Sequence, residues 1–192
     1  MGAHPSAGQD FSPSEPRARS GGKRLARGSP ESSPSVVATA RVLKNVITVE
    51  VGPQRWTALP IARGHSPVVR SLSALFSTHY EVAAGEKGSP VLSHVSYDGK
   101  RDEILLQQED RKWRVRSSAF GPLTLEYEGS VLTLHERITG KIVLLRGNVV
   151  LAQGQCRFRS VSLSGYPPAM EGFLGHLAVG LLVRWLFWEL AL

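Results

Sequence analysis

Residues 173–192 read FLGHLAVGLLVRWLFWELAL, and only His176, Arg184 and Glu189 interrupt their apolar character. A helix drawn through this stretch has no polar face, so it must be surrounded either by lipid or by a protein shell. As a helix the segment is about 30 Å long, enough to cross a bilayer. Arg184, however, lies well inside it, where a charge costs roughly 2.5 to 3.5 kcal/mol on insertion scales. Within a protein the same arginine can reach a carboxylate, and Gly172, Gly175 and Gly180 let neighbouring side chains approach the helix closely. The expectation is a helix over about 168–191 enclosed by the residues before it. A tail anchor in a membrane, carrying a cytoplasmic β domain, is the rival.

The preceding residues supply material for a shell. In 42–51, Ile47, Val49 and Val51 alternate with Thr48 and Glu50, a period of two that marks a half-buried strand ended by Gly52-Pro53. Ser66-Pro67 then fits a helix start, and Val68, Leu72, Leu75, Phe76 and His79 follow at helical spacing, so one short amphipathic helix is expected near 67–79. From Val91 onward the pattern is strands again. Asp98-Gly99, Glu109-Asp110, Gly121-Pro122, Gly129-Ser130, Thr139-Gly140 and Gly147-Asn148 place a turn about every ten residues, and Gln155 to Leu163 reads as the last strand. Trp113 and Val115 alternate with Lys112, Arg114 and Arg116, and Leu123, Leu125 and Tyr127 alternate with Thr124, Glu126 and Glu128. If these two strands pair, basic outer positions face acidic ones.

A meander of eight or more strands needs one buried face, and an all-apolar helix needs a complete coat. A closed antiparallel β-barrel around the helix satisfies both and leaves no sheet edge open to aggregation. Arg137-Ile138-Thr139-Gly140-Lys141-Ile142 and Leu145-Arg146-Gly147-Asn148-Val149-Val150-Leu151-Ala152 resemble the strand, turn, strand units of the tubby-like superfamily, which includes LURP-one-related proteins and phospholipid scramblases. The closing order over Val91 to Leu192, a strand, a Tyr166-Pro167-Pro168 turn and the helix, is similar too. The resemblance implies a barrel of about twelve strands closed around a C-terminal helix, and a non-enzymatic protein that binds anionic lipid at a membrane surface or a protein partner. The family's ligand residues have no position-by-position match here, and the acidic calcium-binding segment linked with scramblases is not recognisable.

Residues 1–34 are expected to form a separate, disordered basic tail: half of them are Pro, Gly or Ser, and Met1, Phe11 and Leu25 are the only large apolar side chains. They contain no apolar h-region, and Asp10, Glu15 and Glu31 argue against a transit peptide, so a cytoplasmic start is expected. Met1-Gly2-Ala3-His4-Pro5-Ser6 fits the loose myristoylation pattern, with Arg17, Arg19, Lys23, Arg24 and Arg27 as an electrostatic second signal. Residues 35–192 are then a single domain.

The chemistry-bearing residues form no catalytic constellation. The six histidines have no metal-ligand spacing, Ser162-Leu163-Ser164-Gly165 is not a nucleophile elbow, and the glycines form neither a P-loop nor a dinucleotide fingerprint. No metal, cofactor or reaction is expected. The single cysteine, Cys156, reads as a buried, inert thiol beside an inward Phe158, with Arg157 and Arg159 on the opposite face. A formal charge of +7 favours anionic partners, although it also serves solubility. Candidate anion-binding residues are Lys112, Arg114 and Arg116 on one strand and Arg157 and Arg159 on another. Alternation turns Trp113 and Phe158 inward and leaves point charges without a base-stacking platform, so lipid headgroups are favoured over nucleic acid. Because tilted strands of six to eight residues make a barrel about 20 Å tall, one end of the longer helix should protrude, with Trp185, Phe187, Trp188 and Leu190 as an apolar contact lip.

Overall fold

The computed structural model describes residues 36–43, 46–61, 77–85, 88–117, 121–165 and 170–191, and for 36, 190 and 191 the backbone alone. Twelve strands follow one another in the chain: β1 (Val36–Leu43), β2 (Val46–Val51), β3 (Gln54–Pro60), β4 (Ser77–Ala84), β5 (Val91–Asp98), β6 (Glu103–Gln108), β7 (Arg111–Ser117), β8 (Leu123–Tyr127), β9 (Ser130–Glu136), β10 (Lys141–Arg146), β11 (Val149–Arg157) and β12 (Ser160–Gly165). A helix, α1 (Glu171–Ala191), ends the series. Each strand pairs antiparallel with its neighbours in sequence, and β1 closes the barrel on β12 from Val36 opposite Gly165 to Arg41 opposite Ser160.

Period-two patterning decides which way each strand faces. Ile47, Val49 and Val51 on β2, Trp113 and Val115 on β7, and Leu123, Leu125 and Tyr127 on β8 are buried, while Glu50, Lys112, Arg114 and Glu126 face out. The interior they line is occupied by α1, whose residues Phe173 to Val183 are all buried. Its side chains join those of the strands in one core. The helix therefore removes water from the inner face of every strand, and the strands supply the coat that its uniform hydrophobicity requires. Close approach is needed at two points: a Cβ on Gly175 would overlap Trp56 and Val51, and one on Gly180 would overlap Ile104. Gly172, expected to serve in the same way, has open space where a Cβ would stand. No helix among the described residues is long and apolar enough to cross a membrane.

Several local expectations need correction. Of the short helix near 67–79, residues 67–76 lie outside the described residues, and 77–79 begin β4. The tail at 1–34 also lies outside them. The single strand expected over 42–51 is a hairpin, because β1 ends at Leu43 and β2 starts at Val46. The turn expected at Asp98-Gly99 runs on to Asp102, whose left-handed backbone with φ 46° prolongs it, so β6 begins only at Glu103. Most consequentially, 155–163 is not one strand. The chain reverses at Phe158-Arg159, with Arg159 left-handed at φ 55°, and no glycine, asparagine or proline announces that turn.

Candidate functional site

Antiparallel order places hairpin turns at both ends of the barrel. Around the C-terminal half of α1, hereafter the exit end, lie the end of β1 and the turns β5/β6, β9/β10 and β11/β12, all of which touch α1 or one another. The N-terminus of α1 lies at the opposite end, where Glu171 meets the β2/β3 turn at Gly52.

The helix is fixed at the exit end by its one internal arginine. The Arg184 guanidinium donates to both carboxylate oxygens of Asp102, at 2.7 and 3.0 Å, and to Oε2 of Glu136 at 2.9 Å. Tyr97 donates its hydroxyl to the same Asp102 at 2.7 Å. Left-handed geometry at Asp102, which aspartate tolerates better than most residues, sets its carboxylate at the tip of the β5/β6 hairpin facing the helix. Burial alone would raise the Asp102 carboxyl, but hydrogen bonds from Arg184 and Tyr97 and the arginine charge outweigh it and hold it below the ordinary range. Tyr97 is raised, first by burial and then by its bond to Asp102. Every member of this group has its partners, so its chemistry is that of a lock.

Beyond the lock the helix becomes progressively exposed. Trp185 and Phe187 are half-buried, Phe187 lying over Gly99, and Trp188 is 44% exposed. The side chain of Leu190, the fourth residue expected in this lip, lies outside the described residues. Trp188 packs edge-on against Phe187 at 6.0 Å, and Trp185 meets Phe158 edge-on at 6.2 Å. Phe158 is thus not inward beside Cys156. It stands at the β11/β12 turn, 67% exposed. Ile138, at the β9/β10 turn, projects fully into solvent, and Leu43, at the end of β1, is 64% exposed. The amide of Val42 donates to the carbonyl of Arg159, which ties the end of β1 to the Phe158 turn. Ile138 and Trp185 line a shared cavity of about 620 Å³ with Arg137 and Arg184. Leu43, Phe158 and Ile138 therefore extend the lip outward from the helix across neighbouring turns.

Cations border this apolar tip. Arg159 lies over the Phe158 ring at 5.1 Å, Arg157 is held by the side chain of Gln155 at 3.1 Å, and Arg137 precedes Ile138. Among the described residues the ion pairs are Arg101 with Asp98, Arg116 with Glu103, and Arg184 with Asp102 and Glu136, so none of these three arginines is neutralised.

The two basic strands singled out in the sequence are thus separated in space. Arg157 and Arg159 belong to the exit end. Lys112, Arg114 and Arg116 climb the outer wall on β7, and Arg116 is engaged with Glu103 of β6 at 2.6 Å. The acidic partners expected on β8 do not pair with them, because the β7/β8 ladder ends at Val115 opposite Leu125. Cys156 is buried, and burial followed by the Glu136 charge pushes its thiol up to about 11, which makes it a poor nucleophile. No group of three or more potential metal ligands exists among the described residues.

Sequence reading missed Leu43, Ile138 and Phe158. Ile138 carried a usable signal, since a large aliphatic residue inside a Thr-Gly turn buries nothing of its own hairpin. Phe158 carried none, because its turn lacks turn residues. Compared with family models, curated proteins and solved structures, the chain has no match.

Proposed function

We propose that this protein is a non-enzymatic binding module that docks peripherally on an anionic membrane surface through the exit end of its barrel. The observation that carries this reading is the clustering of solvent-facing Leu43, Ile138, Phe158 and Trp188 on one end, bordered by Arg137, Arg157 and Arg159 without carboxylate partners. Apolar side chains at hairpin tips enter the headgroup region without disturbing the core, and the arginines meet lipid phosphates around them. Aromatic rings such as Trp188 suit the interface, where one edge is apolar and the other wet. The sequence resemblance to the tubby-like superfamily, with its lipid-associated members, points the same way, as does the formal charge of +7. A cytoplasmic leaflet, rich in anionic lipid, is the matching surface.

Co-sedimentation with vesicles tests it. Binding to vesicles containing acidic phospholipid is expected to exceed binding to purely zwitterionic ones. Phe158→Ser is expected to weaken the partition by about tenfold, the equivalent of losing part of one buried aromatic side chain. Replacing Lys112 and Arg114 with Gln should lower binding only at low salt, since these residues act at a distance from the docked end. Equal sedimentation of parent and Phe158→Ser with acidic vesicles would refute the reading.

A further inference from the structure

A second surface lies on the barrel wall and owes nothing to the exit end. Among the described residues the other ladders join four to seven residue pairs, whereas β7 and β8 share three, Val115 with Leu125, Arg116 with Thr124 and Ser117 with Leu123. From there towards the opposite end β7 runs on for four residues, Arg111 to Arg114, and β8 for two, Glu126 and Tyr127, without pairing to each other. Between them opens a groove of about 780 Å³. A ladder continued in the same register would set Arg114 opposite Glu126 and Lys112 opposite Glu128. No ion pair joins either couple, although they have opposite charges. The seam is therefore unpaired along this half, and these two charged couples stand beyond salt-bridge distance.

The groove has two backbone walls and an aromatic floor. Residues 111–114 and 126–127 do not use their backbone groups in a ladder with each other, and strand edges without a ladder partner invite an extended chain. Beneath them Trp113 stacks on Tyr127, with centroids 6.2 Å apart and planes 21° from parallel, and Phe173 of α1 supports both rings. Unpaired β7 spans about 13 Å, at the usual rise per residue the length of four strand residues.

We infer that the parted β7/β8 seam is a receptor for an extended peptide segment of a partner protein, which adds as a short strand between β7 and β8. Charge selects the kind of segment. Its outward side chains would lie between Lys112 and Arg114 on one side and Glu126 and Glu128 on the other. An acidic residue there is drawn to one wall and repelled by the other, and a basic residue meets the same conflict in reverse. Uncharged hydrogen-bonding residues such as Thr, Ser or Gln satisfy both walls, and alternate apolar residues cover Trp113 and Tyr127. The same facing carboxylates oppose a phosphate or headgroup at Lys112 and Arg114. An uncharged alternating segment is thus favoured over an anion.

Nuclear magnetic resonance on the isotope-labelled full chain tests this with four blocked pentapeptides titrated to millimolar concentration. These are Thr-Val-Thr-Val-Thr, its versions with Glu or with Lys in place of Thr, and a version with Pro at the centre. The Thr peptide is expected to shift amide signals of 111–114 and 126–129 saturably. Proline, which removes a ladder donor, should weaken it at least tenfold, and the charged versions by about threefold, the scale of one unfavourable cross-strand pair. No saturable shift at these residues, equal binding by the proline peptide, or tighter binding by either charged peptide would overturn the inference.

Discussion

Arg184 is the one lysine or arginine in the apolar stretch 173–192, and it closes a bidentate pair with Asp102 and a further bond to Glu136. Its need for a carboxylate was legible from its position inside an apolar helix; which carboxylates answer it was not, because Asp102 and Glu136 lie 82 and 48 residues away. Arg184→Met should destabilise the fold by about 2–3 kcal/mol, below the full cost of breaking a buried pair because all three side chains keep some solvent access. Adding Asp102→Asn should recover part of that loss in chemical denaturation, since it removes one of the stranded charges. His176 is a different case. Its Nδ1–H donates to the carbonyl of Gly172 at 2.6 Å, its ring lies 4.9 Å from that of Trp56, and its Nε2 is buried without a partner. Burial lowers its pKa from 6.5, against a smaller opposing effect of the Gly172 bond. The unfolded chain thus takes up a proton that the folded chain resists, so stability is whole above about pH 6.5 and declines as pH falls below it. His176→Leu should flatten that acidic limb, and melting curves between neutral and mildly acidic pH read the difference.

Among the elements, α1 was the most legible and the turns were the least uniform. A helix with no polar side can only be enclosed, and that argument needs no neighbouring sequence. Hairpins at Asp98-Gly99, Gly129-Ser130, Thr139-Gly140 and Gly147-Asn148 announced themselves through residues suited to left-handed backbone, with Gly129, Gly140 and Gly147 at φ 70°, 77° and 57°. Phe158-Arg159 turns the chain with no such residue, so two strands read as one and an exposed phenylalanine read as buried. The parted β7/β8 seam was equally hidden. Alternation persists along both strands past the point where pairing stops, and the extent of a ladder depends on both partners. The dependence of the strands on α1 is testable by truncation after Pro168. With the core element gone, Val49, Leu106, Leu132 and Leu163 would lose the surface that buries them. The shortened chain should aggregate or lack a cooperative melting transition. A soluble, cooperatively melting truncation would mean that the barrel is stable without its core helix.

At the scale of the molecule, the exit end carries Leu43, Ile138, Phe158 and Trp188 beside Arg137, Arg157 and Arg159, and the wall between β7 and β8 carries the groove. Membrane docking would leave that groove facing sideways into solvent, so lipid and peptide need not compete. Raising salt should weaken vesicle binding without abolishing it, because the arginine attraction is screened while the burial of Ile138, Phe158 and Trp188 is not. The most direct measurement labels one position at a time with an environment-sensitive fluorophore, using cysteine at 138, at 158 or, at the opposite end, at 131. Vesicles of acidic phospholipid with brominated acyl chains then report which labels reach the hydrocarbon. Quenching at 138 and 158 with none at 131 is the expected result, and quenching at 131 or at no position would contradict docking through the exit end.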